Sequence, residues 1–348
     1  MAQDRRVGMK LFLWIVLAMV LHYTALVTGQ MLVSTVFAVK DVADGMLTYD
    51  STGEIYYNGE VALESEEYMN RYGYVTAGYG NLVALPIVVI GLFVFNKIRR
   101  RKTRQILAVN RFPVIPAILA LIIGLAIYFP ISFIVSNSFL NDLSPDTGNA
   151  IQSMFEQTPY WILFISTAIG APLMEELTFR GFIYSQLEET TQLWHASLEE
   201  TYEEMKTELL EEAHGELKQK AIEERLKKIK RRTPIFLIIT QAFMFGAFHM
   251  NLQQFVYATA LGMLFGIMRH YTKSVWPSVL AHIGFNAFSI GIYGLSQHPE
   301  WSITQMLNNM PEITFLLITL LVFAVALLLF EIVVKKGGKN GEKTSQNP

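Results

Sequence analysis

Ala171-Pro172-Leu173-Met174-Glu175-Glu176-Leu177-Thr178-Phe179-Arg180-Gly181 lies inside a run that is otherwise apolar from Trp161 to Tyr184. A charged side chain at the centre of a bilayer-spanning helix costs about 3 kcal/mol on insertion scales. Here two acids and an arginine fall between positions 175 and 180, and charges kept at that cost point to function. Glu176 and Arg180, four residues apart, share a helix face and can pair, each lowering the cost of burying the other. Glu175 projects about 100° away from Glu176 and is left without that partner. A carboxylate in such a place has the features of a general base. The structural alternative is an intramembrane ion pair with an incidental acid beside it.

The surrounding composition sets the class. The chain has 348 residues, of which 52% are hydrophobic and 17% charged, against about 25% charged in soluble domains, so the fold class is an all-α polytopic transmembrane helical bundle. The net charge of -2 carries little information, because the charges are segregated along the chain. The absence of cysteine excludes disulfides, thiolate nucleophiles, thiolate metal sites and cysteine-linked lipid anchors. Arg5, Arg6 and Lys10 precede an apolar run from Leu11 to Val39. That run is too long for a cleaved signal and lacks a small-residue cleavage site, so it is read as a retained transmembrane helix.

About 20 apolar residues span the ~30 Å hydrocarbon core as a helix. That template places about eight spans, at 11–39, 77–96, 112–136, 158–187, 234–250, 252–269, 275–295 and 312–334. The span at 252–269 fits the template least well, and the short Met250-Asn251-Leu252 link before it predicts a tight helical hairpin. Lys and Arg accumulate on the cytoplasmic side. The basic clusters at 5–10, 97–104, 206–232, 269–273 and 335–343 all fall on one side if both termini are cytoplasmic, which predicts N-in and C-in.

This divides the chain into a two-span N-terminal region with an acidic outer loop (1–111), a membrane core that bears the charged trio (112–295), an outer loop with the last span (296–334) and a polar tail expected to be disordered (335–348). Two extramembrane pieces stand out. Residues 40–76 carry eight acids and turn signals at 48–53 and 57–60, suggesting a solvated loop with a small hairpin. Residues 188–232 read as a long charged helix, with Leu198, Tyr202, Met205, Leu209 and Leu210 at near-helical spacing. Its basic end, Arg225 to Arg232, could lie against anionic lipid or meet a partner membrane protein, and the alternative for the whole stretch is a solvated cytoplasmic hairpin. An equally dense acidic half precedes that end and argues against nucleic acid as a partner.

Two further spans carry polar residues at helical spacing. In Gln241-Ala242-Phe243-Met244-Phe245-Gly246-Ala247-Phe248-His249, Phe245 and His249 share a face, and Gly246 and Ala247 permit close helix approach. In Trp276-Pro277-Ser278-Val279-Leu280-Ala281-His282-Ile283-Gly284-Phe285-Asn286, the proline suits a first helical turn, and His282 and Asn286 share a face. Imidazole and carboxamide together can donate toward one point, as an oxyanion hole requires. Either pair could instead be packing or interhelical glue. At about 1.5 Å per residue, Glu175, His249 and His282 lie roughly 16, 22 and 13 Å from the cytoplasmic ends of their helices. They could share one cavity.

Glu-Glu-x-x-x-Arg, then Phe-x-x-x-His, then His-x-x-x-Asn, each on its own membrane helix and in that order, resembles the CPBP family of intramembrane endopeptidases. That family includes the type II CAAX prenyl endopeptidases and Abi-like proteins. The resemblance covers about residues 155–295; the 188–232 insertion is longer than the usual link between the first two motifs. It implies that Glu175 acts with His249 to activate a water and that His282 and Asn286 stabilise the oxyanion. Glu176 and Arg180 would order the site, and Phe245 would pack it, with no required cofactor. It also implies a multi-pass protein of a cell membrane, with the bacterial plasma membrane as the expected setting, acting on a membrane-associated peptide or protein, lipid-modified or not. A zinc-dependent version with Glu175, His249 and His282 as ligands is the metal alternative, although no His-Glu-x-x-His motif is present. A non-proteolytic scaffold or regulator of a partner membrane protein, and a proton-coupled transporter, are the other readings left open.

Overall fold

A computed structural model describes residues 2–143, 158–211 and 215–345. Every apolar run named above forms a helix. The long helices are α1 (Ala2–Ala43), α2 (Thr76–Ile98), α3 (Val114–Ser136), α5 (Gly215–Phe248), α6 (Leu252–Thr272), α7 (Trp276–Ser296) and α8 (Glu312–Ser345). Between α3 and α5 runs α4, a continuous rod from Tyr160 to Glu211 in which α-helical pieces alternate with π-helical stretches at Phe164–Gly170 and Leu177–Ile183. α8 continues past the end of its apolar run, since extending a formed helix needs no new nucleus. Residues 346–348 lie outside the described residues.

Six of these helical segments are long and apolar enough to cross a membrane. α5 and α6 fall short of that measure: Arg231 and Arg232 abut the apolar part of α5, and α6 carries Gln253, Gln254, Arg269 and His270. They pack as the tight hairpin expected from their short link. Met250 takes a left-handed φ of 50°, and the Asn251 side chain caps α6 by accepting from the Gln254 N–H at 2.9 Å.

α4 occupies the centre. In its apolar window 67% of residues are buried, against 17–33% in the other five candidate spans. α1, α2, α5 and α7 all pack on it, while α3 and α8 close the far side of α7. Close approach is possible where side chains vanish. A Cβ on Gly284 of α7 would lie 2.3 Å from the Leu121 carbonyl oxygen, and one on Gly124 of α3 would lie 1.8 Å from that of Ala281.

The segment 188–232, read as one long helix, is two. It is divided between the end of α4 and the start of α5, which run past each other antiparallel, and residues 212–214 lie outside the described residues. The charge pattern explains the fold-back, because the acidic half can face the basic half. Lys230 pairs with Glu199, Tyr202 donates to Glu223 at 2.9 Å, and His195 meets Thr233 at 2.9 Å. Leu209 and Leu210 lie outside the residues whose side chains are described.

The acidic loop holds more order than a single hairpin. Strands β1 (Leu47–Tyr49), β2 (Ile55–Tyr57) and β3 (Glu60–Val61) form an antiparallel sheet with Leu47 opposite Tyr57 and Tyr57 opposite Glu60. Its buried Tyr57 packs near Tyr68 and Tyr72. Asp41 at the end of α1 accepts two bonds from Arg71 at 2.6 Å and one from Tyr72 at 2.8 Å, tying the loop down.

Candidate active site

The motif residues meet where α4, α5, α6 and α7 converge. Glu176 and Arg180 pair as their spacing predicts: Arg180 Nη1 donates to Glu176 Oε1 at 2.8 Å, and both side chains are 0% exposed. An ion pair so deeply buried needs further partners to offset its desolvation. Phe245 and Phe265 supply them, the Arg180 guanidinium lying 4.1 Å from the Phe245 ring centroid and 5.3 Å from that of Phe265. Cations between aromatic faces gain more when desolvated.

His282 then joins both acids. Its Nδ1 lies 3.0 Å from Glu176 Oε1, and its Nε2 lies 3.9 Å from Glu175 Oε2. A carboxylate paired with arginine can only accept, so His282 Nδ1 carries the hydrogen. The ring stacks on Phe265 at 5.2 Å and 29°, and meets Phe245 edge-on at 5.9 Å. Glu175, half-buried, leaves its Oε2 without a protein donor among the described residues. Among the same residues Glu176 Oε2 also lacks a donor, and the two acids differ instead in that Glu176 is fully buried with its Oε1 held by Arg180 and His282, whereas Glu175 is half-buried and lies 3.9 Å from His282.

His249 ends α5 on the other side of Phe245, with ring centroids 4.9 Å apart at 87°. Its Nδ1 donates to the Phe245 carbonyl oxygen at 2.9 Å. This fixes the tautomer of the neutral ring and leaves Nε2 as a free lone pair. Among the described residues no direct hydrogen bond joins His249 to Glu175; Phe245 stands between the two imidazoles. Gly246 lets α6 approach, since a Cβ there would lie 2.7 Å from the Phe255 carbonyl oxygen. Asn286 Nδ2 donates to the Thr167 carbonyl oxygen at 2.8 Å, in the first π-helical stretch of α4. An amide has a second N–H, so this contact anchors Asn286 without exhausting it.

Several contributors carry no local sequence signal. Arg269 on α6, buried, donates from Nε to the Arg180 carbonyl oxygen at 3.1 Å, a backbone group in the second π-helical stretch. Glu188 faces Arg269 at 3.7 Å and Lys273 at 3.1 Å. Ser278 donates to the Phe265 carbonyl oxygen at 2.8 Å, and Gln241 to that of Gly262 at 2.8 Å. Phe265 and Arg269 are separated from Arg180 by more than eighty residues, so only the tertiary packing reveals them.

Among the described residues no group of three or more His, Asp or Glu side chains converges as a ligand set. The Nδ1 atoms of both imidazoles are engaged by protein oxygens, which leaves Nε2 as the open nitrogen of each ring.

No curated protein and no solved structure matches the chain. Residues 157–288 match the family described as Rce1-like, type II CAAX prenyl endopeptidase Rce1-like. The matched stretch contains Glu175, Glu176, Arg180, Phe245, His249, His282 and Asn286 on their three helices, and it leaves out α1, α2, α3 and α8. Over those residues the chain is similar to the type II CAAX prenyl endopeptidases, as its three motifs suggested, and with six helices long and apolar enough to cross a membrane it is a multi-pass membrane protein.

Proposed function

We propose that the protein is a glutamate-type intramembrane endopeptidase that cuts a membrane-associated peptide or protein with Glu175 and His249 as the groups that activate water. Glu175 takes a proton from a water as its oxygen attacks the scissile carbonyl carbon. His249, whose Nδ1–H is committed to the Phe245 carbonyl, offers Nε2 to carry that proton to the departing amine. His282 and Asn286 donate to the oxyanion. Collapse of the tetrahedral adduct breaks the C–N bond and leaves a carboxylate and a protonated amine. Glu176 and Arg180 hold the frame, and Phe245 spaces the two imidazoles.

The observation that carries this reading is His282 poised between two acids of unequal burial, 3.0 Å from the fully buried Glu176 and 3.9 Å from the half-buried Glu175. Two carboxyl groups face one guanidinium and one imidazole here, so a second proton on His282 would balance the second carboxylate within the site. His282 would then give Nε2–H to a developing oxyanion while Nδ1–H stays on Glu176. The remaining functional picture is of the same kind: a catalytic core over 112–295, both termini cytoplasmic, and a bacterial plasma membrane as the setting.

The test is cleavage of membrane-anchored peptides, with and without a C-terminal lipid, by purified protein in vesicles. Wild type, Glu175→Ala and His249→Ala are compared with and without a strong chelator. Cleavage that survives chelation and is lost in both variants supports the reading. Chelator-sensitive cleavage restored by zinc overturns it. A folded Glu175→Ala protein that still complements a deletion in cells, with no peptide cut by wild type, would put the scaffold role first.

A further inference from the structure

α1 lies outside the matched segment, yet it places a histidine at the site. His22 is 0% exposed. Its Nδ1 sits 2.9 Å from Thr178 Oγ1, and Thr178 follows Glu175 by three residues on α4. The ring meets Phe248 edge-on at 4.8 Å and Phe179 at 6.2 Å, and Phe248 immediately precedes His249. His22 thus touches both helices that bear the proposed water-activating groups.

The hydrogen bonds fix its chemical state. Thr178 Oγ1 donates its single hydrogen to the Met174 carbonyl oxygen at 2.9 Å, so toward His22 it can only accept. His22 Nδ1 must therefore carry the hydrogen, which in a neutral ring leaves Nε2 bare. Among the described residues Nε2 has no hydrogen-bond partner. Imidazole otherwise favours the Nε2–H form, so the Thr178 contact imposes the less common tautomer. A phenylalanine of similar shape would fill the space without an N–H for Thr178.

We infer that His22 is a positioning residue of the site: as an Nδ1–H imidazole it holds Thr178, and with it the turn bearing Glu175, against the Phe248–His249 end of α5. This rests on the reading that Glu175 and His249 activate water. It assigns the N-terminal helix a direct part in the geometry of the matched core. The bond to Thr178 sets the height of α4, and the ring face sets the distance to α5.

The experiment uses the full chain in vesicles with a membrane-anchored peptide, comparing wild type, His22→Asn, His22→Gln and His22→Phe. The Asn Nδ2–H reproduces the position of the His Nδ1–H, whereas Gln places its amide near Nε2. His22→Phe is expected to lose about ten-fold to a hundred-fold in kcat with KM little changed, the size of effect a displacement of about 1 Å produces. His22→Asn is expected to recover most of that loss, and His22→Gln little of it. Equal kcat in wild type and His22→Phe overturns the inference. So does His22→Asn damaged as much as His22→Phe with a matching fall in Tm, because that would be packing alone.

Nitrogen-15 NMR of labelled histidines provides a readout independent of cleavage. The wild-type spectrum should contain a His22 signal of the Nδ1–H form that reverts to Nε2–H in Thr178→Val, and the His249 signal should shift in His22→Phe. An Nε2–H His22 in the wild type, or an unmoved His249, overturns the inference. If wild type cuts nothing while these signals behave as stated, the placement of His22 stands and it is the peptidase reading that fails.

Discussion

Two sets of charges in this molecule look alike in sequence and behave differently in the fold. Where α4 runs past α5, Lys230 and Glu199 pair while 46% and 52% exposed. In the core, Glu176 and Arg180 pair at 0% exposure, and His282, Phe245 and Phe265 close around them. An exposed pair is worth about 0–1 kcal/mol, because water solvates each partner nearly as well. Removing one partner of a buried pair costs about 3–5 kcal/mol, because the survivor cannot be solvated. A charge pattern therefore shows that pairing is possible, and burial decides what the pairing is for.

The sharpest way to break that contrast is Arg180→Met. It should destabilise the protein by about 3–5 kcal/mol and abolish cleavage, read by denaturation in detergent and by peptide hydrolysis. A near-normal unfolding midpoint would show that the pair is not the frame of the site. Next, Asn286→Ala should lower kcat by about 10²–10³ if its second N–H meets the oxyanion, with KM changed far less. Gly284→Ala sets a Cβ 2.3 Å from the Leu121 carbonyl oxygen and should cost about 1–3 kcal/mol through overpacking at the contact that seats His282. An unchanged melting temperature would mean that α3 and α7 can separate freely. Smallest, Lys230→Ala should change stability by less than about 1 kcal/mol and leave peptide hydrolysis as it was. A large loss of activity there would give those helix ends a role in the site.

The helices were legible because long apolar runs leave few other choices. The Glu176–Arg180 pair was legible too, since an i,i+4 spacing has one meaning on a helix. The placement of Glu175 apart from the Arg180 pair followed from the same geometry. What spacing could not tell was the company each residue keeps across the bundle. That His282 would face Glu176, that Asn286 would reach the Thr167 carbonyl and that Phe265 and Arg269 would support Arg180 all depend on which helices become neighbours. His22 had no motif around it and looked like one polar residue in an apolar span. The 188–232 stretch misled for a related reason: helical periodicity continues through both halves, while the fold-back depends on long-range attraction between them.

The most direct test compares two neighbouring carboxylates. Glu175→Gln and Glu176→Gln are measured in the same vesicles for peptide cleavage and in the same detergent for thermal unfolding. The account predicts that Glu175→Gln unfolds near the wild-type temperature and loses at least about 10²-fold in kcat, as removal of a general base does. Glu176→Gln should instead lose stability by several kcal/mol, because Arg180 and His282 are left facing a neutral amide. Cleavage by Glu175→Gln within a few-fold of wild type, or equal melting loss in both variants, would contradict the division of labour on which the proposed site rests.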